Sequence, residues 1–204
     1  MSESITARRT FLKFGAAMAF GIPPAMLLAS CAAEDTLAQQ AAAGDGKNYI
    51  AGDGSVTEYA RGERGEPVDF TGTLFDGSEL SSSDWTGTVT VLNFWYAACA
   101  PCRKEAPDLV SLHAEFAPSG AQFFGVNIRD EQATAAAFER NFKIPYQSFN
   151  DQDGGVLLSM TGYVPPQAVP TTLVLDRENR VAGRILGLAD RGTLKALVGG
   201  ALEE

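Results

Sequence analysis

From Val89 to Tyr96 the chain runs Val-Thr-Val-Leu-Asn-Phe-Trp-Tyr with hardly a polar break. A run of that kind predicts a strand buried on both faces, as in the middle of a parallel sheet. Upstream, Val68-Asp69-Phe70 and Thr73-Leu74-Phe75 alternate apolar with polar, and the turn signal Asp76-Gly77 follows, predicting a β-hairpin. Downstream, Pro101 stands near a helix start, and Glu105 to Phe116 keep a helical period. Residues 121–128 read as another strand and residues 131–142 as an amphipathic helix. Residues 145–169 are less regular, with an apolar segment over 146–149, a turn over 151–155 and a short helix over 156–160. Thr171 to Leu175 and Val181 to Leu188 read as strands joined by a turn over 177–180. Asp190 is placed to cap a last helix that runs to Val198 and that Gly199-Gly200 would end. The pattern predicts an α/β sandwich around a mixed central sheet, with an N-terminal β-hairpin and a central insertion.

The first part of the chain carries neither period. Arg8, Arg9 and Lys13 give a basic head, and from Phe14 to Ala29 a run of 16 residues is apolar or Gly/Pro. That is short for a membrane span, which takes roughly 20 residues, and Pro23-Pro24 would break a helix there. Residues 1–30 therefore read as a cleaved export signal. Arg8-Arg9-Thr10-Phe11-Leu12-Lys13 resembles the twin-arginine export motif, the alternative being the basic head of a general secretory signal. Leu28-Ala29-Ser30-Cys31 resembles a bacterial lipobox, which makes Cys31 the expected lipidation site; two or more acyl chains would anchor the protein stably. Residues 31–65, rich in Ala, Gly, Gln and acidic side chains, read as a lipidated flexible tether, leaving residues 66–204 for the folded domain.

Composition narrows the function classes. With 204 residues, 45% hydrophobic and 20% charged, the chain has enough material for one real core. A net charge of −9 argues against a nucleic-acid partner held by phosphate neutralisation. The acidity is uneven: residues 34–84 hold 3 basic and 11 acidic residues, so the rest of the domain is close to neutral. Three cysteines and one histidine are too few for a four-ligand Cys/His zinc site or a disulfide framework, and no metal centre is expected.

The chemistry concentrates at Cys99-Ala100-Pro101-Cys102, a C-x-x-C between the buried strand and a helix. Residues three apart share a helix face, so the two sulfurs can meet in the first turn. Cys99 falls at the helix N-terminus, where free amides and the dipole stabilise a thiolate, and Arg103 and Lys104 add positive charge. Cys102, one turn in, is expected to be more buried and less ready to ionise. This asymmetry suits a dithiol that attacks with one sulfur and resolves with the other. The alternatives are a structural disulfide, whose short loop gains only about 2 kcal/mol; half a metal site, with His113 as the one further soft ligand; and two unrelated thiols.

Cys102, Glu105, Leu109, Leu112 and Phe116 recur at spacings of three and four residues, which is one helical stripe. The stripe that packs Leu109, Leu112 and Phe116 inward thus carries a carboxylate one turn beyond Cys102. Burial would raise its pKa and make Glu105 a proton donor or acceptor for that thiol; the alternative is a glutamate turned out to solvent. His113 lies too far along the helix to serve Cys99 and reads as structural, as do Phe94 and Trp95.

Asn93-Phe94-Trp95 leading into Cys99-Ala100-Pro101-Cys102-Arg103-Lys104-Glu105-Ala106-Pro107 resembles the thioredoxin superfamily. It is most similar to the membrane-tethered TlpA/ResA branch of extracytoplasmic thiol–disulfide oxidoreductases. Residues 125–130 and Val169-Pro170-Thr171-Thr172 match the same branch, and the likeness spans about residues 66–200. The resemblance implies a thioredoxin-like fold and an enzyme on the extracytoplasmic face of the cell membrane. It implies a disulfide-containing protein substrate, a membrane dithiol electron donor, and no cofactor beyond the Cys99–Cys102 disulfide. It places a cis proline at Val169-Pro170 beside the active site as a substrate-binding element, and makes Glu105 an active-site residue. Pro101 before the second cysteine resembles the reducing members, and apocytochrome c maturation is one task the branch suggests. Two departures stand out. Ala98 replaces the tryptophan usual before the first cysteine, and Asn93 stands where thioredoxin has a buried aspartate. A thiol peroxidase on this fold is the competing enzyme class, but neither cysteine has the Pro-x-x-x-Thr-x-x context it would need. A non-catalytic lipoprotein with an inert disulfide is the other alternative.

Overall fold

The computed structural model describes residues 52–204. The export signal, the lipobox cysteine Cys31 and most of the tether expected from the sequence lie outside the described residues. Strands β1 (Val56–Glu58), β4 (Thr90–Trp95), β5 (Gln122–Asn127), β6 (Ser148–Asn150), β7 (Thr171–Leu175) and β8 (Val181–Leu186) form one sheet in the order β1-β8-β7-β4-β5-β6. β4, β5 and β6 run parallel, while β7, β8 and β1 add antiparallel, so the sheet is mixed. β2 (Thr71–Thr73) and β3 (Glu79–Ser81) make a separate hairpin. Among the described residues four α-helices complete it: α1 (Ala100–Phe116), α2 (Gln132–Phe142), α3 (Gly155–Ser159) and α4 (Arg191–Glu203).

All six residues of β4 are buried, as its nearly continuous apolar run requires. Its side chains still alternate. Leu92 and Phe94 join a core with Phe70, Trp85, Phe149 and Leu173, under the hairpin and α3. Val91 joins a second core with Leu109 and Leu112 of α1 and Leu194 and Val198 of α4. Asn93 therefore points to the α1 side by strand periodicity, which positions it for the site.

Three expectations shift. Val56–Glu58 pairs with β8 in register Val56↔Ile185 to Glu58↔Gly183, so the fold begins before residue 66 and the last part of residues 31–65 is not tether. Three residues are too few to show a period in the sequence. Arg64 then locks this segment down: its guanidinium, with a side chain only 4% exposed, bonds Asp176 at 2.8 Å and Glu204 at 2.6 Å. We expect Arg64→Ala to lower stability by about 2–4 kcal/mol, because Asp176 would stay buried without its counter-charge. Urea unfolding checks this, and an unchanged midpoint would show that residues 56–64 do not brace the fold. The second shift is at the hairpin. Its turn falls at Asp76-Gly77 as expected, with Gly77 at φ +85°, but Val68 and Phe70 stand outside the ladder. Their amides donate instead to Asn179 O and Ser82 Oγ while their side chains fill the core. The third is at the C-terminus. The last helix starts at Asp190, whose carboxylate accepts from Thr193 N–H, but it continues through Gly199-Gly200 to Glu203. Packing of Leu194, Leu197, Val198 and Ala201 outweighs the roughly 1 kcal/mol each glycine costs in a helix.

Candidate active site

The chain leaves β4 at Trp95 and enters α1 at Ala100, with Cys99 as its N-cap. Cys99 Sγ accepts from Cys102 N–H at 3.2 Å, and Pro101 occupies the first turn, where its missing N–H costs nothing. Cys99 and Cys102 are joined in a disulfide, with Cα atoms 5.3 Å apart. The Val169-Pro170 peptide is cis, and Val169 belongs to the same buried cluster as both cysteines, Trp95 and Tyr96.

The expected asymmetry of exposure is absent. Cys99 is 0% exposed and Cys102 2%. Helical spacing gives the face of a residue within its own helix. It does not register that Tyr96 and Val169, from outside the helix, belong to the packing around the N-cap. The difference between the two sulfurs lies in the helix terminus at Cys99, not in access.

The loop before Cys99 is held from two sides. Ala97 N–H donates to Asp130 Oδ2 at 2.6 Å, and the Arg129 guanidinium lies 4.2 Å from the centre of the Tyr96 ring. Arg103 donates to Ala97 O and lies over the Phe142 ring. Ala98 is exposed between them, and the missing tryptophan is not replaced by another ring at that position.

Glu105 is 1% exposed, so its place on the inward stripe is real. Its Oε1 accepts from Asn93 Nδ2 at 2.7 Å and its Oε2 from Ala189 N–H at 2.8 Å. Burial pushes its carboxyl up to about 8; the hydrogen bonds from Ala189 and Asn93 oppose the rise, and nearby Asp108 adds to it. At neutral pH the group is therefore mostly a neutral acid. Asn93 also donates to Thr172 Oγ1 at 3.1 Å, its register partner on β7. Thr172 and Ala189 escape sequence reasoning because they come from distant strands and loops. A polar residue between Val91 and Trp95 on the α1-facing side of a mostly apolar strand is the one signal that marks Asn93. His113 packs edge-on against Phe123 and tilted against Tyr146, with centroids 5.5 Å away. Among the described residues there is no cluster of three or more His, Cys, Asp or Glu able to hold a metal ion.

Residues 65–184 match the model of the AhpC/TSA family. The chain is similar to thiol-disulfide oxidoreductase ResA of Bacillus thuringiensis, 25% identical over 122 residues, covering 60% of this chain and 68% of the relative. It is similar to thiol:disulfide interchange protein DsbE of Pseudomonas aeruginosa, 29% identical over 113 residues, covering 55% and 58%. Among solved structures it is similar to a secreted thiol-disulfide isomerase from Corynebacterium glutamicum, with TM-score 0.66, 29% identity, and 74% and 95% of the two chains covered.

Proposed function

The chain belongs to the AhpC/TSA family and is a thiol–disulfide oxidoreductase of the ResA/DsbE type, and on that premise we propose that it reduces disulfides of partner proteins on the extracytoplasmic face of the cell membrane. Cys99, as thiolate, attacks the partner disulfide and forms a mixed disulfide, releasing one partner thiol. Cys102, assisted by Glu105, attacks Cys99 and releases the second thiol, leaving Cys99–Cys102 oxidised. Two electrons pass from the dithiol to the partner, and a membrane dithiol protein returns them. Val169-Pro170 lines the approach of the partner chain.

The observation that carries this reading is the buried Glu105 one turn beyond Cys102, with its carboxyl held near neutrality. An inert structural disulfide has no use for such a group. Reduction rather than oxidation rests on Pro101 before the second cysteine. Tethering rests on the likeness of Leu28-Ala29-Ser30-Cys31 to a lipobox; no helix among the described residues is long and apolar enough to cross a membrane. Apocytochromes c are the partner class proposed by likeness to ResA and DsbE.

Differential alkylation of intact cells tests the direction. Cys99 and Cys102 should be mostly reduced at steady state, and a mostly oxidised pair would turn the proposal to an oxidase. Cys31→Ser should move the protein from the membrane to the soluble extracytoplasmic fraction. Retention of that variant in the membrane would refute the lipid anchor.

A further inference from the structure

Behind the disulfide lies a small cavity walled by Asn93, Cys102, Phe138, Tyr146 and Ser148, among others. It leaves about 10 Å³ for the centre of a water, close to what one molecule needs. Its walls do not include Glu105, whose two oxygens are bonded to Asn93 and Ala189. At this cavity Ser148 Oγ is buried, and the Glu139 carboxyl of α2, outside the cavity walls, is its neighbour. Ser148 is 3% exposed. A hydrogen bond between the Ser148 hydroxyl and the Glu139 carboxyl offsets part of the rise that burial imposes on that carboxyl. Gly125 makes the arrangement possible: a Cβ there would lie 2.3 Å from Ser148 Oγ and 2.5 Å from Trp95 Nε1.

A buried hydroxyl that shares a water-sized space with a thiol and is hydrogen-bonded to a half-buried carboxyl outlines a proton path. Resting on the exchange reaction above, we propose that a water held by Ser148 takes the proton of the Cys102 thiol and that Glu139 delivers it to solvent, making α2 a second proton port beside Glu105. The Cys102 S–H bond breaks and its proton passes to the water. The water gives a proton to Ser148 Oγ, and Ser148 gives its own to the Glu139 carboxylate. The electron pair stays on Cys102, which attacks Cys99 and expels the partner thiolate. Glu139, half-buried, then releases the proton to bulk water.

The port matters most in the neutral range, where Glu105 is mostly protonated and only its ionised fraction can accept a proton. Other titratable groups around this space are Tyr146, whose phenol burial pushes up, with Glu105 and Glu139 adding to the rise, and His113, stacked on Tyr146. The cavity residues from β4 and β6, namely Asn93, Trp95 and Ser148, are neutral. Arg140 and Lys143 lie on or next to Glu139's own helix and are exposed.

Reduced protein mixed with Ellman's disulfide should release the nitrothiobenzoate anion in two phases: attack by Cys99, then resolution by Cys102. Glu139→Gln and Ser148→Ala should each slow the second phase by about tenfold to a hundredfold at neutral pH. The deficit should shrink above pH of about 8, as Glu105 ionises, and Glu139→Asp should recover part of the rate. The first phase is the internal control. A second phase within about twofold of wild type across the pH range in both variants overturns the port. Equal slowing of both phases also overturns it, since that reports packing. Absence of any second phase in the wild type would instead refute the two-step exchange itself.

Discussion

Cys102→Ser should convert the enzyme into a trap, accumulating mixed disulfides through Cys99 and losing turnover by at least about a thousandfold, or about 4 kcal/mol in barrier. Cys102 Sγ is bonded to Cys99 Sγ across the first turn of α1, so resolution is an intramolecular attack. Such attacks reach effective concentrations on the order of 10⁵ M or more, which millimolar external thiol cannot match. Cys99→Ser should form no adducts, because the remaining sulfur lies inside the first turn and lacks the N-cap position that stabilises a thiolate. Non-reducing electrophoresis with mass spectrometry of the linked peptides reads both outcomes. A normally folded Cys102→Ser protein that captures nothing would end the reductase assignment.

Glu105→Gln should change both rate and stability with pH, in opposite senses. In the wild type, resolution should speed up as pH rises through about 8, where Glu105 becomes a base; the glutamine variant should lack that rise. For stability, the folded carboxyl sits above its unfolded value of about 4.5. The native state then holds a proton that the unfolded chain releases, so this contribution is fully present below about 4.5 and is lost as pH climbs to about 8. Its upper limit is about 5 kcal/mol. Glutamine removes that slope but offers one carbonyl to two donors, Asn93 Nδ2 and Ala189 N–H, at a cost of about 1 kcal/mol. The two stability curves should therefore cross, with wild type ahead in acid and Glu105→Gln ahead in alkali. Parallel curves in urea titrations would show that Glu105 is not a buried titrating group.

The sheet and the CxxC helix were legible because their signals are local. A nearly continuous apolar run, a proline at a helix start and a three-four stripe are each set by neighbours a few residues apart. Those local signals place Glu105 inward beside Cys102 and make Asp190 a helix cap. Misreadings came where long-range packing overrode local preference. Gly199-Gly200 stays helical because its neighbours Leu197, Val198 and Ala201 are buried in the second core. Val56–Glu58 is a strand only because β8 offers it an edge.

By itself, then, the sequence determined the α/β order, the redox pair, the inward carboxylate and the proline ahead of β7. Each is a matter of residue type at a spacing set by backbone geometry. Tertiary structure alone decided the environment of those groups. Cys99 is covered because Tyr96 and Val169 join its cluster from outside the helix. Glu105 is held near neutrality by partners 12 and 84 residues away in the chain. Ser148 meets the space behind Cys102 only once β6 has joined the sheet beside β5. Burial and hydrogen bonding are properties of what surrounds a side chain, and in this protein those surroundings are drawn from segments far apart in the chain.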